Sequence, residues 1–304
     1  MTRRPSGEQW TLRRGDDEAV VVEVGGGLRT LRVAGHDVVA GYAADEMATS
    51  GRGQVLMPWP NRLRDGRFTF GGQEQQLPLS EPRTHNASHG LVRWALWELL
   101  EQREEQVTLG YRLHPQPGWS WPLDLRMTYR LVEGGLHVVT EADNVGDEPA
   151  PLGFGSHPYL AVGNTPASEV VLHLPADQAL EVDDRQLPTG LVAVDGTERD
   201  FRTPRALGGT QLDTAFTGIA RDDDGRWRVT LSGLRALPDL CVWGGAGLDW
   251  LQVYTAKAQP DAPEPRGIAI EPMTCPPDAL RSGTDLVVLE PGQTWRVDWG
   301  ISLT

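Results

Sequence analysis

The chain has 304 residues, with Lys+Arg of 28 against Asp+Glu of 42 and a net charge of -14, long enough to bury a large core as one big β domain or two ordinary ones. That acidic balance argues against a nucleic-acid partner, whose phosphates are met by cationic contacts, and against an anionic membrane surface. Cys241 and Cys275 are the only cysteines, which excludes an extracellular disulfide framework and a cysteine-built zinc cluster but leaves one disulfide open.

The segment Met1-Thr2-Arg3-Arg4-Pro5 leads into acidic and polar residues, with no apolar core of a signal peptide, and no stretch approaches 18 apolar residues. A soluble cytoplasmic protein is expected. Strands dominate the rest of the chain. Ala19–Val24 and Leu28–Val33 flank Gly25-Gly26-Gly27, a turn without the Lys-Ser/Thr of a phosphate loop. Further strands are expected at Trp94–Leu99 and Val107–Leu113. Leu125, Met127, Tyr129 and Leu131 alternate with polar neighbours, and Leu136, Val138 and Thr140 resume the period after Gly134-Gly135, which predicts a hairpin.

Glu169–Leu174, Trp227–Leu231, Leu251–Thr255 and Leu286–Leu289 read as strands too. So does the C-terminus, where Trp295, Val297, Trp299, Ile301 and Leu303 line one face of a final strand that, if exposed, offers a dimer edge. Asp183–Gly209 reads as loops on a continuous body. Scattered glycines and prolines interrupt nearly every apolar run, and no linker divides the chain. Stacked antiparallel sheets in one domain, residues 1–304, are the expectation.

Several polar segments carry potential chemistry. Pro58-Trp59-Pro60 precedes Asn61 and Arg62, and a guanidinium fixed there can fork onto two hydroxyls, or simply be solvated. His85 and His89 stand four apart without a third ligand at a recognisable spacing, so no metal is expected; His89 before Gly90 can donate to a ligand instead. Ser156 beside His157 lacks the nucleophile turn of a serine hydrolase, while His157 has the ordinary pKa, about 6.5, of a proton donor near neutrality. Asp213 is a turn residue or a hydroxyl acceptor. Trp243, Trp250 and Tyr254 can stack on a sugar or belong to the core. In Gly267-Ile268-Ala269-Ile270-Glu271-Pro272, alternation puts Ile268 and Ile270 on one face and Glu271 on the other, at a strand end where it is a positioned base or an edge residue facing water.

Taken in order, Asn61-Arg62 with Gly66-Arg67-Phe68, His89-Gly90, Ser156-His157-Pro158-Tyr159, Leu212-Asp213 with Phe216, Leu251–Thr255, and Ile270-Glu271-Pro272 with Pro277-Asp278-Ala279 resemble the aldose 1-epimerase (galactose mutarotase) family. The resemblance implies an all-β fold, a large antiparallel β-sandwich (supersandwich). It implies interconversion of the α and β anomers of a free aldohexose, with Glu271 as general base, His157 as general acid, and Asn61, Arg62, His89 and Asp213 holding the sugar. No cofactor or metal is called for by ring opening and reclosure. The implied partner is a monosaccharide, for a monomer or homodimer. A related branch acts on hexose 6-phosphates, for which Arg64, Arg67, Arg83 and Arg93 are candidate cations. A sugar-binding protein and a glycoside hydrolase pairing Asp213 with Glu271 are the other readings.

Overall fold

The computed structural model describes residues 4–255 and 267–304; Met1-Thr2-Arg3 of the polar N-terminal segment lie outside them. Strands are the dominant regular structure of the described residues, and their helical elements are the single turns Ala167–Glu169 and Ala279–Ser282. Two large antiparallel sheets make the body. In the first, nine strands run in the order Glu98–Gln102, Gln106–Leu113, Leu123–Val132, Gly135–Asn144, Thr294–Leu303, Leu240–Gly244, Trp227–Ser232, Val171–His173 and Arg205–Ala206. In the second, Pro188–Ala193, Ala176–Val182, Asp213–Ile219, Trp250–Thr255, Gly267–Met273, Gly155–Ser156 and Val55–Leu56 lie side by side, and Tyr159–Ala161 pairs with Gly267–Met273 as well. A four-stranded N-terminal sheet spans Gln9–Arg14, Asp17–Val22, Leu28–Val33 and His36–Asp37.

Alternation explains the packing. Leu125, Met127, Tyr129 and Leu131 turn inward with Leu136 and Val138, and the register Leu131↔Leu136 closes the expected hairpin. One apolar cluster takes in these residues, Leu12 and Leu31 of the N-terminal sheet, and Phe216, Leu251, Val253, Ile268 and Ile270 of the second sheet. Burial of each large aliphatic or aromatic side chain contributes about 1.5–3 kcal/mol, so this cluster is the main stabilising term.

Four sequence expectations are corrected. The final strand, Thr294–Leu303, lies between Gly135–Asn144 and Leu240–Gly244, so it is central and offers no dimer edge. Strand Pro188–Ala193 and the short Arg205–Ala206 occur inside the segment read as loops. Between Trp94 and Leu99 the strand begins only at Glu98. Glu271 is not at a strand end, because Gly267–Met273 continues past it through Pro272. Cys241 and Cys275 are both buried and free. Among the described residues no helix is long and apolar enough to cross a membrane.

Candidate active site

The second sheet presents a polar patch on the face opposite the core. The register Asp213↔Tyr254, Gln252↔Glu271 and Tyr159↔Ala269 places residues of four strands on that face. In an antiparallel pair, directly opposed side chains share a face, so Gln252 stands beside Glu271 as a consequence of strand pairing alone. Here lies a cavity of about 950 Å³, within the range of small-molecule sites. Asn61, Arg62, His89, His157, Asp213 and Glu271 all line it. All six residues singled out in the sequence therefore converge.

Asn61, Arg62 and His89 come from a small two-stranded unit in which Arg62 pairs with Ser88. Asn61 and His89 adopt left-handed backbone, φ 55 and φ 62. The Asn61 N–H donates to His89 Nδ1 at 3.3 Å, and the His89 N–H donates to the Asn61 carbonyl at 2.9 Å. His89 Nδ1 is thus an acceptor, which puts the ring proton of the neutral imidazole on Nε2. Arg62 Nε donates to Glu81 at 2.8 Å, leaving its terminal nitrogens for a ligand. Asp278 pins this unit from below: its N–H donates to the Arg62 carbonyl at 2.7 Å and its carboxylate accepts from the Arg64 N–H at 2.9 Å. That is the structural use of Pro277-Asp278-Ala279. Gly90 has φ 72, and a Cβ there would stand 1.9 Å from the Met57 carbonyl oxygen. We expect Gly90→Ala to lower unfolding free energy by about 2 kcal/mol or more, measured by urea denaturation.

His157 and Glu271 are buried together. Nε2 of His157 lies 3.3 Å from a Glu271 oxygen, with side-chain exposures of 8% and 3%. Burial drives both toward their neutral forms. It holds the Glu271 carboxyl well above its ordinary range, with the Asp213 carboxylate adding and Arg62 opposing. It pushes His157 down to about 3, the residue's own backbone opposing and Arg93 and Arg62 adding. His89 is also held well below its usual value, first by burial, then by His157, Arg93 and Arg62. The neutral pair, a carboxylic acid beside an imidazole, holds the same number of protons as a carboxylate beside an imidazolium. One proton transfer separates them. The alternative of a water-facing edge carboxylate is excluded by the burial of Glu271 at 2% exposure.

Among the described residues, three buried polar atoms on this patch have no hydrogen-bond partner in another residue: Glu271 Oε2, His157 Nδ1 and the Gln252 side-chain oxygen. Unpaired polar groups of this kind cost about 1–3 kcal/mol each, and a polyhydroxylated ligand is a fitting complement. Asp213 accepts from Gln252 Nε2 at 2.7 Å, so it is held by its neighbour strand and is not merely a turn residue. Gln252 and Tyr159 belong to the sequence motifs, but the motifs assign them no role. The signal for Gln252 is a polar residue inside the apolar run Leu251–Thr255.

Other candidates fall elsewhere. Tyr254 lines the cavity, but Trp250 donates to Asp285 at 2.7 Å and Trp243 packs under Arg226 at 4.1 Å on the first sheet. His85 is exposed and bonds Asp65 at 2.8 Å, apart from His89. Among the described residues no three metal-ligating side chains cluster. Arg64 pairs with Asp278 at 3.7 Å and Arg67 bonds Gln76 at 2.6 Å, while Arg83 and Arg93 line the cavity.

The sheet architecture and the patch it carries define a galactose mutarotase-like β-sandwich. The aldose 1-epimerase family profile matches residues 8–302, and the chain belongs to that family. It is 36% identical over 297 residues to the uncharacterized Escherichia coli protein YihR, covering 97% of this chain and 93% of that one. Mouse galactose mutarotase is 29% identical over 225 residues, 67% of this chain and 64% of the mouse protein. The solved structure of an aldose epimerase homologue from C. elegans superposes with a TM-score of 0.86 at 20% identity, over 98% of this chain and 99% of that one. Galactose 1-epimerase from Lactobacillus acidophilus gives 0.78 at 20%, over 97% and 94%.

Proposed function

We propose that this protein interconverts the anomers of an aldohexose, Glu271 acting as general base and His157 as general acid. The observation that carries the reading is the buried His157–Glu271 pair at 3.3 Å, flanked by unsatisfied polar atoms in a sugar-sized cavity. Sugar hydroxyls bound there favour the charged tautomer of the pair. Glu271 then takes the proton from the anomeric hydroxyl while His157 delivers one to the ring oxygen, and the C1–O5 bond breaks to give the aldehyde. Rotation about C1–C2 exposes the other carbonyl face. Reclosure returns both protons, His157 taking one from the C5 hydroxyl and Glu271 giving one to O1. Apparent pKa values in the rate profile belong to the pair rather than to either residue. Arg62, His89, Asp213 and Asn61 hold the remaining hydroxyls.

A second reading, epimerisation of a hexose 6-phosphate, rests on Arg93. Its guanidinium lies in the cavity wall, is lowered by burial, and forms no ion pair or side-chain hydrogen bond among the described residues. The half-buried guanidinium packs on the Trp94 ring at 5.6 Å, with Glu81 favouring its charge, and a phosphate is a natural counter-ion, with the exposed Arg83 nearby on the same wall.

Polarimetry on fresh α-glucose, α-galactose, xylose and glucose 6-phosphate tests both readings. Acceleration of equilibration is expected for at least one sugar. Saturable binding without acceleration makes this a sugar-binding protein, and release of reducing sugar from glycosides makes it a hydrolase.

A further inference from the structure

A proton-transferring imidazole ordinarily takes its orientation from a hydrogen bond at the nitrogen remote from substrate. His157 has no such bond to a neighbour: among the described residues Nδ1 is buried with only its own backbone in reach. Packing must fix the ring instead. His157 and Tyr159 are two apart across Pro158, which fixes its own φ and biases His157 toward extended backbone, so the two side chains fall on one side of the chain. The two rings lie parallel, centroids 5.1 Å apart at 10°. The phenol donates to the Ser50 carbonyl at 3.0 Å. That bond ties down the loop whose next residue, Gly51, closes against the imidazole: a Cβ on Gly51 would stand 2.6 Å from His157 Cδ2. The loop is left-handed at Ser50 (φ 54), Gly51 (φ 77) and Gly53 (φ 70). Gly53 N–H donates to the His157 carbonyl at 2.9 Å.

We infer that Tyr159 is the positioning residue of His157, holding the ring between its own face and the Ser50–Gly51 loop and favouring the imidazolium through its π face. The inference rests on His157 being the proton donor proposed above. The groups around His157 make the electronic part consequential. His89 packs edge-on at 5.8 Å, and Arg93 and Arg62 oppose a positive charge on the ring; Glu271 at 3.3 Å favours it. Tyr254 meets Tyr159 edge-on at 6.4 Å, and Asp213 and Arg52 lie within electrostatic reach of the phenol. A cation over an aromatic face is stabilised by roughly 0.5–2 kcal/mol, equivalent to about 0.4 to 1.5 pH units.

Three variants separate the parts. Tyr159→Phe keeps the ring stack and loses the Ser50 tie. Tyr159→Leu loses both, and Gly51→Ala pushes on the imidazole from the other side. For Tyr159→Leu we expect kcat to fall about 10–100-fold with KM within about twofold, and the alkaline limb of the pH–rate profile to move roughly half a unit or more to lower pH. Tyr159→Phe should keep the wild-type limb. Equal limbs in the Phe and Leu variants, or a loss confined to KM, would overturn the inference. A readout without turnover separates it from the proposed reaction. In protein labelled with nitrogen-15 histidine and free of sugar, His157 should show one ring tautomer in the wild type and in Tyr159→Phe, and averaged tautomers in Tyr159→Leu. A single tautomer in the Leu variant sinks the positioning role even if the wild type is an active epimerase. Averaging there, with a wild type inactive on every aldose, sinks the reaction and leaves the positioning role standing.

Discussion

Glu271→Gln is expected to lower mutarotation by about 10²–10⁴-fold in kcat, the usual contribution of one general acid–base group. The amide keeps the shape of the carboxyl but cannot accept the anomeric proton, so sugar binding should change far less than turnover. Unchanged acceleration in this variant would remove Glu271 from the base role. The same substitution should stabilise the fold. Burial raises the Glu271 pKa well above the ordinary 4.5, so the folded state binds this proton more tightly than the unfolded chain does. Its favourable contribution is complete below about pH 4.5 and is lost as pH rises toward the raised value. The melting temperature of Glu271→Gln should therefore exceed that of the wild type at pH 7–8, and the gap should close near pH 4. His157, lowered to about 3 in the wild type, gives the opposite slope below pH 6.5, so the difference between the two curves reports Glu271 together with its coupling to His157. A stabilised but inactive variant is what a site built on a buried carboxyl predicts.

Arg93→Ala distinguishes the two substrate classes. If the natural sugar carries a phosphate, losing a charge-assisted contact of about 1.5–3 kcal/mol should cut kcat/KM for glucose 6-phosphate by roughly 10–100-fold, with glucose within about threefold. There is a second, independent consequence. Arg93 presses the pKa of both His89 and His157 downward, so its removal should shift the alkaline limb for a neutral hexose to higher pH. Equal losses on both sugars would mean that Arg93 serves the cavity wall or a hydroxyl, and would remove the support for a phosphorylated substrate.

Period-two alternation carried most of the strands in the sequence, because each strand has one face on a core and one on water or the cavity. The hairpin from Leu125 to Thr140 and the face shared by Ile268 and Ile270 are cases where local pattern sufficed. What local pattern lacks is the identity of the neighbours. Nothing within Trp295–Leu303 says that strands lie on both sides of it, and so it read as a possible edge. Glu271 read as a strand end because proline usually interrupts a ladder. In the sheet the strand continues through Pro272 to Met273, which pairs with Gly155. The cavity residues are legible through an ordered set of motifs. The surroundings of Gln252 and Tyr159 are not, because each depends on what stands opposite or beside it in three dimensions.

The order of strands in the second sheet has a kinetic meaning. Asp213, Gln252 and Glu271 meet through adjacent strands, but His157 and Tyr159 enter from more than a hundred residues upstream of Glu271, and Asn61 and His89 from further still. Closing such distant segments costs chain entropy before any contact compensates it, and non-local sheets assemble slowly for that reason. A stretch that holds only the Asp213, Gln252 and Glu271 strands lacks both histidines. The buried carboxyl and imidazole, unfavourable alone, become neighbours only once the distant strands carrying them have paired, so the pair is expected to form late in folding.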